Sequence, residues 1–278
     1  MKKHLTPVVI GGVGGSGTRL VAQCLKKMGF FIGDDLNIEN DNLWFTLLFR
    51  RVEILYSSES EFDELVDVFL KGMTGCGDFT KAQVDLINKI AYLNRDIFSA
   101  EWFLERAKSL LSAKRTTKLR KRWGWKEPNS HIIIDRLKQT IPNMKYIHVM
   151  RNGLDMAHSS NQNQLKLWGE YFMGPNYRIS PFHSLRYWCI VHRRILKIGA
   201  SMEKDFFLLN FDNFTTHPKR GTEELLQFLE IDATEAKINK LSKLIELPNS
   251  IGRFRQYGIE IFDEGDVAYV NQLGFSIE

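Results

Sequence analysis

Short apolar runs alternate along the chain with longer stretches in which apolar residues recur every three or four positions. The β-branched run at 8–10 ends in glycines, and this pattern predicts a buried first strand. Three later runs, at 123–126, 146–150 and 206–211, predict further strands. The stretches between these runs have the spacing of helices, so the pattern predicts strands separated by helical segments.

Apolar spacing and stop signals mark the predicted helices. Within 18–28, positions 20, 21, 24, 25 and 28 are apolar, and Gly29 follows where a helix is expected to stop. The same reasoning predicts helices over 129–138, from 151 through Ser159, and over 181–202, 218–229 and 234–245. Residues 41–112 are predicted to be mostly helical, with breaks at 71–80 and around Asn94; residues 161–180 are predicted to be irregular, and a tail follows 245.

The alternation of strand and helix indicates an α/β fold with a mostly parallel central sheet. No internal repeat, low-complexity tract or linker divides the sequence, so we expect one domain over 1–278. The helical stretch 41–112 lies between the first two predicted strands and is predicted to be an insertion.

Composition excludes several classes of protein. The chain has 278 residues, 44% of them hydrophobic and 26% charged, which is typical of a folded soluble protein. Three scattered cysteines do not form a disulfide framework or a CxxC metal site. No apolar run approaches the ~20 residues of a membrane span. The apolar stretch behind Lys2 and Lys3 is too short for a signal peptide, so we expect a cytoplasmic protein.

The net charge of +5 favours an anionic ligand, but without a motif it does not indicate binding to a nucleic acid polymer. Part of the excess is concentrated in a basic cluster between residues 114 and 122. A solvated helix end is the favoured interpretation of this cluster, and a funnel for an acidic ligand is the alternative. The cluster consists of Lys114, Arg115, Lys118, Arg120, Lys121 and Arg122.

The most informative motif is the glycine-rich loop at 11–19, GGVGGSGTR, between a predicted strand and a predicted helix. Glycines permit a tight turn there, so that backbone N–H groups and the helix N-terminus can bind an anion. The loop therefore predicts a phosphate site.

Three phosphate-binding loops compete for this motif. A Walker A loop that starts at Gly12 would have Thr18 and Arg19 in place of its Lys and Ser/Thr, which disfavours an ATPase or kinase. This alternative stays open, because 207–212 could be an apolar strand that ends in a metal-binding Asp212. The dinucleotide fingerprint GxGxxG matches literally, with a possible second strand at 30–32 and Asp34 or Asp35 as the ribose acid. The third alternative is a 5′-phosphosulfate loop, because 16–18 reads Ser-Gly-Thr before an apolar helix.

The third alternative gains support from a resemblance that extends over residues 8–255. The segment 151–159, with Arg151 at a strand end and Ser159 eight positions later, resembles the 3′-phosphate motif of sulfotransferases that use 3′-phosphoadenosine-5′-phosphosulfate (PAPS). Lys126 and Glu127 resemble the Lys and adjacent acid or base that many members carry at the end of a core strand. The segments 206–229 and 250–255 resemble two further units of that family, in the same order.

The resemblance implies a three-layer, P-loop-type fold with helices on both faces of the sheet, PAPS as donor, adenosine 3′,5′-bisphosphate (PAP) as product, and no metal. Lys126 and Arg19 would offset charge on the leaving oxygen, and Glu127 would act as general base, with His131 and His158 as alternatives. Arg253, or alternatively Arg255, would close over the nucleotide. The other donor-binding residues that it implies are Gly14, Gly15, Ser16, Gly17, Thr18, Arg151 and Ser159.

The chain departs from the family pattern at Gly15, where most members carry Lys or Arg. The acceptor is predicted to be a small molecule or glycan that binds residues 34–50 and 161–180, because amides, carboxylates and aromatic rings in these stretches suit a sugar. A sulfotransferase is favoured. A nucleotide-dependent kinase or oxidoreductase, and a binding protein with an inert sulfotransferase-like fold, are the alternatives.

Overall fold

A computed structural model describes residues 6–93, 95, 98–116 and 120–278. The predicted break at Asn94, Lys118 of the basic cluster, and the basic N-terminal residues Lys2 and Lys3 lie outside the described residues. The fold is α/β, as the sequence predicts.

Four strands and thirteen α-helices occur in the described part of the chain. The strands are β1 (Val8–Gly12), β2 (Gly124–Lys126), β3 (Lys145–Met150) and β4 (Phe206–Asn210). The helices are α1 (Thr18–Lys27), α2 (Leu43–Phe49), α3 (Glu59–Thr74), α4 (Lys81–Ala91), α5 (Ala100–Leu111), α6 (Ile134–Thr140), α7 (Gly153–Ala157), α8 (Asn163–Met173), α9 (Pro181–Met202), α10 (Phe211–Thr216), α11 (Pro218–Phe228), α12 (Glu235–Ser242) and α13 (Glu264–Gln272). Short 3₁₀ helices cover Val52–Leu55, Pro128–Ile133, Glu203–Asp205 and Arg253–Gln256.

The strands form one all-parallel sheet in the order β2-β1-β3-β4, with helices around it. In the pairing of β1 with β2, Val9 is opposite Trp125; in the pairing of β3 with β4, His148 is opposite Leu208. All of β1 and nearly all of β3 is buried, which is typical of a parallel sheet that is covered on both faces. Functional groups at the carboxyl ends of such strands share one edge of the sheet.

The chain forms two compact units. The first unit comprises residues 1–10 and 25–145. Aromatic side chains from α2, α3 and β2 fill its core: the rings of Phe69 and Trp125 lie edge to face with centroids 5.0 Å apart, and Phe45 contacts both. This core supports the end of β2, where Lys126 and Glu127 lie.

The second unit comprises residues 11–24 and 146–278. Its long helix α9 packs against α7 and α13. Trp188 of α9 is buried and donates a hydrogen bond from Nε1 to the carbonyl oxygen of Arg151 at 3.1 Å. Asp266 of α13 is also buried and forms an ion pair with Arg186 of α9 at 3.2 Å. Helix α9 thus fixes both the end of β3 and the C-terminal helix.

Most predicted elements are confirmed, and α9 has the predicted bounds. Four predictions are wrong in detail. Helix α8 lies within the stretch 161–180 that the sequence predicts to be irregular, because Leu165 and Trp168 bury an apolar face there. The predicted helix 129–138 begins as a 3₁₀ helix, Ser159 lies beyond the end of α7, and the predicted tail contains α13.

No helix in the described ranges combines the length and apolar character that crossing a membrane would require.

Candidate functional site

The glycine loop joins the end of β1 to the start of α1. Gly15 and Gly17 have φ angles of +93° and +95°, a region that favours glycine. A Cβ atom at Gly17 would overlap the ring of Phe211, so the loop packs closely on the start of α10. These constraints explain why glycine stands at both positions, and they fix the path of the backbone into α1.

Ser16 lies at the centre of this loop with only 1% of its surface exposed. Its backbone N–H donates to the carbonyl oxygen of Val13 at 3.0 Å, but its hydroxyl has no hydrogen-bond partner among the residues that the structure describes. Buried hydroxyl groups nearly always have a partner, and an exception calls for an explanation. A hydroxyl group next to the N-terminus of the ten-residue helix α1 fits an anionic ligand.

Ser159 lies beside the loop. A Cβ atom at Gly15 would be 3.8 Å from the Ser159 Oγ atom. Gln164 of α8 donates from Nε2 to the carbonyl oxygen of Gly12 at 3.1 Å, and so also ties this segment to the loop. The structure therefore brings together two regions that the sequence separates by more than 140 positions.

Arg151 follows the last residue of β3 and is 9% exposed. Its Nη2 atom donates to the carbonyl oxygen and the Oγ atom of Ser250, at 2.6 and 2.8 Å. Its Nε atom is buried and finds no acceptor among the described residues. Burial lowers the pKa of Arg151, and the nearby carboxylates of Asp155 and Asp212 oppose this shift. The free Nε donor gives Arg151 a further position at which to bind an oxygen atom.

Two carboxylates near Arg151, those of Asp212 and Asp155, are not among the residues predicted to bind the donor or to act in catalysis. Asp212 accepts a hydrogen bond from the backbone N–H of Asn152 at 3.1 Å, and burial raises its pKa. Asp155 is 1% exposed and accepts from the backbone N–H groups of Gly252 and Phe254, at 2.8 and 3.1 Å. The sequence does contain one signal for Asp155: it follows Arg151 by four positions, a spacing that allows an ion pair within one helical turn.

The two arginines of the segment 250–255 have different surroundings. Arg253 donates from Nη1 to the carbonyl oxygen of His158 at 3.3 Å, so it lies beside the segment that follows Arg151. Arg255 donates to the carbonyl oxygen of Glu278 and the Oγ atom of Ser276. Of the two alternatives, Arg253 is therefore the one that contacts the 151–159 segment.

His158, one of the alternative bases, stacks on the ring of Tyr257 at a centroid distance of 4.2 Å. Burial lowers its pKa, and the nearby cation of Arg253 adds to that shift. His158 is thus favoured in its neutral form.

In the first unit, the ammonium of Lys126 forms a short ion pair with Asp41 and donates to the carbonyl oxygen of Glu39 at 3.1 Å. A compact turn holds this carboxylate. The Asn37 Oδ1 atom accepts from the backbone N–H of Asp41 at 2.8 Å, and the Asn37 Nδ2 atom donates to Asp41 Oδ2 at 2.8 Å. Asp41 belongs to a predicted acceptor stretch, whereas the structure pairs it with Lys126, the predicted catalytic lysine.

Glu127 is 1% exposed, and its carboxylate caps the 3₁₀ helix that follows β2. Oε2 accepts from the backbone N–H of Asn129 at 2.6 Å, and Oε1 accepts from Asn129 Nδ2 at 2.9 Å. Burial raises the pKa of Glu127 to about 7, while Arg50 opposes the shift. Its local contacts are those of a cap, and its pKa is in the range of a general base. His131, the other alternative base, is fully buried in the same 3₁₀ helix.

The remaining candidates differ in their exposure. Arg19 is exposed in the first turn of α1. Among the aromatic residues of the predicted acceptor stretches, Trp44 and Trp168 are 1% exposed and belong to the core, so they present no ring to a sugar. Tyr171 is 51% exposed. Within the described residues, no group of three or more His, Cys, Asp and Glu side chains is placed to hold a metal ion.

The dinucleotide alternative lacks its second strand in the described part of the chain, because residues 30–32 contribute only an isolated parallel bridge between Phe31 and Trp123. One of the two predicted ribose acids, Asp35, instead forms an ion pair with Arg106 at 3.1 Å. The structure therefore disfavours that interpretation of the glycine loop.

Comparison with known proteins identifies the family. The sequence model described as "Sulfotransferase family" matches residues 7–235. The chain therefore belongs to the sulfotransferase family. The comparison with curated proteins gives no match.

Among solved structures, the sulfotransferase domain from the olefin synthase of Synechococcus PCC 7002 is 14% identical, with a TM-score of 0.50 over 99% of this chain and 98% of that chain. Sulfotransferase STF9 from Mycobacterium avium is also 14% identical, with a TM-score of 0.47 over 99% and 78% of the two chains. Retinol dehydratase in complex with androsterone and the inactive cofactor PAP is 14% identical, with a TM-score of 0.39 over 95% and 69%. At 14% identity, the similarity to the olefin synthase domain shows the fold alone.

Proposed function

We propose that this protein transfers a sulfuryl group from PAPS to a hydroxyl or amine group of a small acceptor and releases PAP. The observation that carries the proposal is a pair of buried donors in the second unit: the hydroxyl of Ser16 and the Nε atom of Arg151 have no partner among the described residues. The ring of Phe211 lies next to both donors: it packs on Gly17, and its centroid is 5.8 Å from the guanidinium carbon of Arg151. Two nearby unsatisfied donors suit a nucleotide with two phosphate groups.

The glycine loop would hold the 5′-phosphate. Its backbone N–H groups from Gly14 to Thr18, with the Ser16 hydroxyl, supply donors without side-chain charge. Arg151 and Ser159 would hold the 3′-phosphate, because a guanidinium donates to two oxygen atoms in a fixed geometry and a hydroxyl adds a third donor. Arg253 would complete this part of the site.

PAPS supplies the activated sulfuryl group: the acceptor oxygen or nitrogen forms a bond to sulfur while the bond from sulfur to the 5′-phosphate oxygen breaks. As in phosphoryl transfer, positioning and charge stabilisation dominate such a step. We assign to Lys126 and Arg19 the stabilisation of negative charge on the leaving oxygen. Lys126 is suited to this role because Asp41 and Glu39 hold its ammonium in one position.

We assign the general-base role to Glu127, which would accept the proton that the acceptor loses. Burial raises the pKa of this carboxyl to about 7, close to the value at which a base is effective at neutral pH. The acceptor is proposed to be a small polar molecule, and carbohydrates are the first class to screen, since amide and carboxylate groups are frequent in 34–42 and 161–164.

The experiment that tests the donor assignment compares thermal stabilisation of the purified protein by PAP, AMP, ATP with magnesium, and NAD. A ligand that binds only the native state raises stability by mass action. PAP is expected to stabilise the protein selectively, and its advantage over AMP reports the 3′-phosphate. An Arg220→Ala variant, which changes an exposed arginine of the same unit, should keep the full effect. Stabilisation by NAD or ATP but not PAP would overturn the proposal.

One observation favours a second candidate, a protein that binds the nucleotide but transfers slowly. Gly15 is exposed with φ at +93°, and the basic side chain that most family members carry at this position is missing. Turnover of PAPS with an acceptor mixture separates the two candidates. Binding of PAP without release of PAP from PAPS would favour the second candidate.

A further inference from the structure

The carboxylate of Asp155 joins two segments that are about a hundred positions apart. It lies in α7, one helical turn after Arg151, and its side chain is fully buried. Its Oδ2 atom accepts from the backbone N–H of Gly252 at 2.8 Å, and its Oδ1 atom accepts from the backbone N–H of Phe254 at 3.1 Å. Each carboxylate oxygen thus binds a different residue of the segment 250–254.

The same segment is held at two other points. Ser250 accepts two hydrogen bonds from Nη2 of Arg151, and Arg253 donates to the carbonyl oxygen of His158. Gly252 has a φ of +76°, which turns the chain so that two N–H groups reach one carboxylate. The segment 250–254 therefore packs along 151–158, and Asp155 makes the middle contacts between the two segments.

Charge gives Asp155 a second effect. The positive charge of Arg253 lowers the pKa of Arg151, because the two guanidinium groups repel each other. The carboxylate of Asp155 lies 3.9 Å from Nη2 of Arg151 and opposes this repulsion. Loss of its charge would leave two guanidinium groups beside each other with less compensation, which would favour opening of the segment.

We propose that Asp155 is a positioning residue of the 3′-phosphate site: it fastens the segment 250–254 to Arg151, so that recognition of the 3′-phosphate depends on a buried carboxylate with no contact to the nucleotide. This inference rests on the proposed function, because it takes Arg151 as the 3′-phosphate ligand. An amide in place of the carboxylate turns an N–H group toward one of the two backbone donors. The pair of hydrogen bonds therefore cannot form with Asn at this position.

The test measures the ratio of affinities for PAP and AMP by calorimetry in the wild type, Asp155→Asn and Asp266→Asn. Asp266 is a matched control, because it is also a buried, ion-paired carboxylate of the second unit and lies in α13. Asp155→Asn is expected to lower the PAP-to-AMP ratio at least tenfold with AMP affinity unchanged, whereas Asp266→Asn keeps the wild-type ratio. Amide hydrogen exchange in 250–256 should accelerate in Asp155→Asn and not in the control.

Ser250→Ala provides a second variant that leaves the buried carboxylate intact, and it is expected to lower the same ratio about threefold. This variant keeps the test decisive if Asp155→Asn does not fold. A wild-type protein that binds PAP no better than AMP would overturn the proposed function itself. A wild-type preference for PAP that survives unchanged in Asp155→Asn would overturn the role of Asp155. If that variant does not fold, a preference that survives unchanged in Ser250→Ala would overturn the premise that contact of the segment 250–254 with Arg151 supports recognition of the 3′-phosphate, and with it the proposed role of Asp155.

Discussion

The carboxylate of Asp41 binds the ammonium of Lys126, and a turn built on Asn37 holds that carboxylate in place. The side chain of Lys126 is only 3% exposed, and its ammonium is held by the carboxylate of Asp41 and by the carbonyl oxygen of Glu39. A cation that is held in this way needs little rearrangement to stabilise charge in a transition state.

Lys126→Ala is expected to lower turnover about a hundredfold or more and to change PAP affinity less than about threefold, because the ammonium acts on charge that develops during transfer. Steady-state kinetics and calorimetry check the two quantities. Lys71→Ala removes another lysine of the first unit that is ion-paired with a carboxylate, and it should leave both quantities unchanged. Wild-type turnover in Lys126→Ala would remove this residue from the mechanism.

Arg151→Ala is expected to weaken PAP binding about 10- to 100-fold, since a hydrogen bond to a charged group contributes roughly 1.5–3 kcal/mol. AMP lacks the 3′-phosphate, so its affinity should change little. Calorimetry with both nucleotides measures the difference. Equal losses for PAP and AMP would show that Arg151 supports the fold of the site and does not bind the 3′-phosphate.

Gly17→Ala is expected to lower the free energy of unfolding by roughly 3–5 kcal/mol, because it adds strain at a positive φ and an overlap with the ring of Phe211. Gly29→Ala is the matched control. Its φ is +83° and a Cβ atom there meets nothing within 4 Å, so only the strain of about 1–2 kcal/mol remains. Urea unfolding of the two variants measures the difference, and equal losses would contradict the packing argument.

Glu127 is expected to make stability depend on pH. Burial raises the pKa of its carboxyl from 4.5 to about 7 in the folded protein, so between these values the folded state keeps a proton that the unfolded chain releases. Its contribution is therefore fully present below about pH 4.5 and is lost as pH rises through about 7, with a total on the order of 3 kcal/mol.

Urea unfolding at intervals from pH 4.5 to 8 tests this expectation in the wild type and in Glu127→Gln. Across this range the wild type should lose stability relative to the variant. Parallel curves for the two proteins would show that the environment of Glu127 does not retain its proton.

The fold was largely predictable from the sequence, because its signals are local. The β-branched run at 8–10 and the apolar spacing of 181–202 identify a buried strand and a long helix without knowledge of their partners. Helix α8 is not predicted, because it begins with amides and contains Gly169, and its apolar face, with Leu165 and Trp168, becomes evident only from burial.

The geometry of the candidate site was predictable only in part. Motif spacing indicates Arg151 and Ser159, which are eight positions apart, and the high glycine content of 11–19 indicates the loop. The partners of these residues were not predictable. The hydrogen bond between Gly252 and Asp155 and the ion pair between Lys126 and Asp41 join distant positions, and nothing local in the sequence specifies such a pair.

The hydrogen bonds of Arg151 to Ser250 also bear on the thermodynamics of binding. A free arginine side chain samples many rotamers, and immobilising a side chain on association costs about 0.5–1.5 kcal/mol. In this protein that entropy is already lost on folding, because Nη2 is fixed before any ligand arrives. A nucleotide that binds Arg151 as proposed would therefore meet a preorganised guanidinium, and more of its interaction energy would appear as affinity.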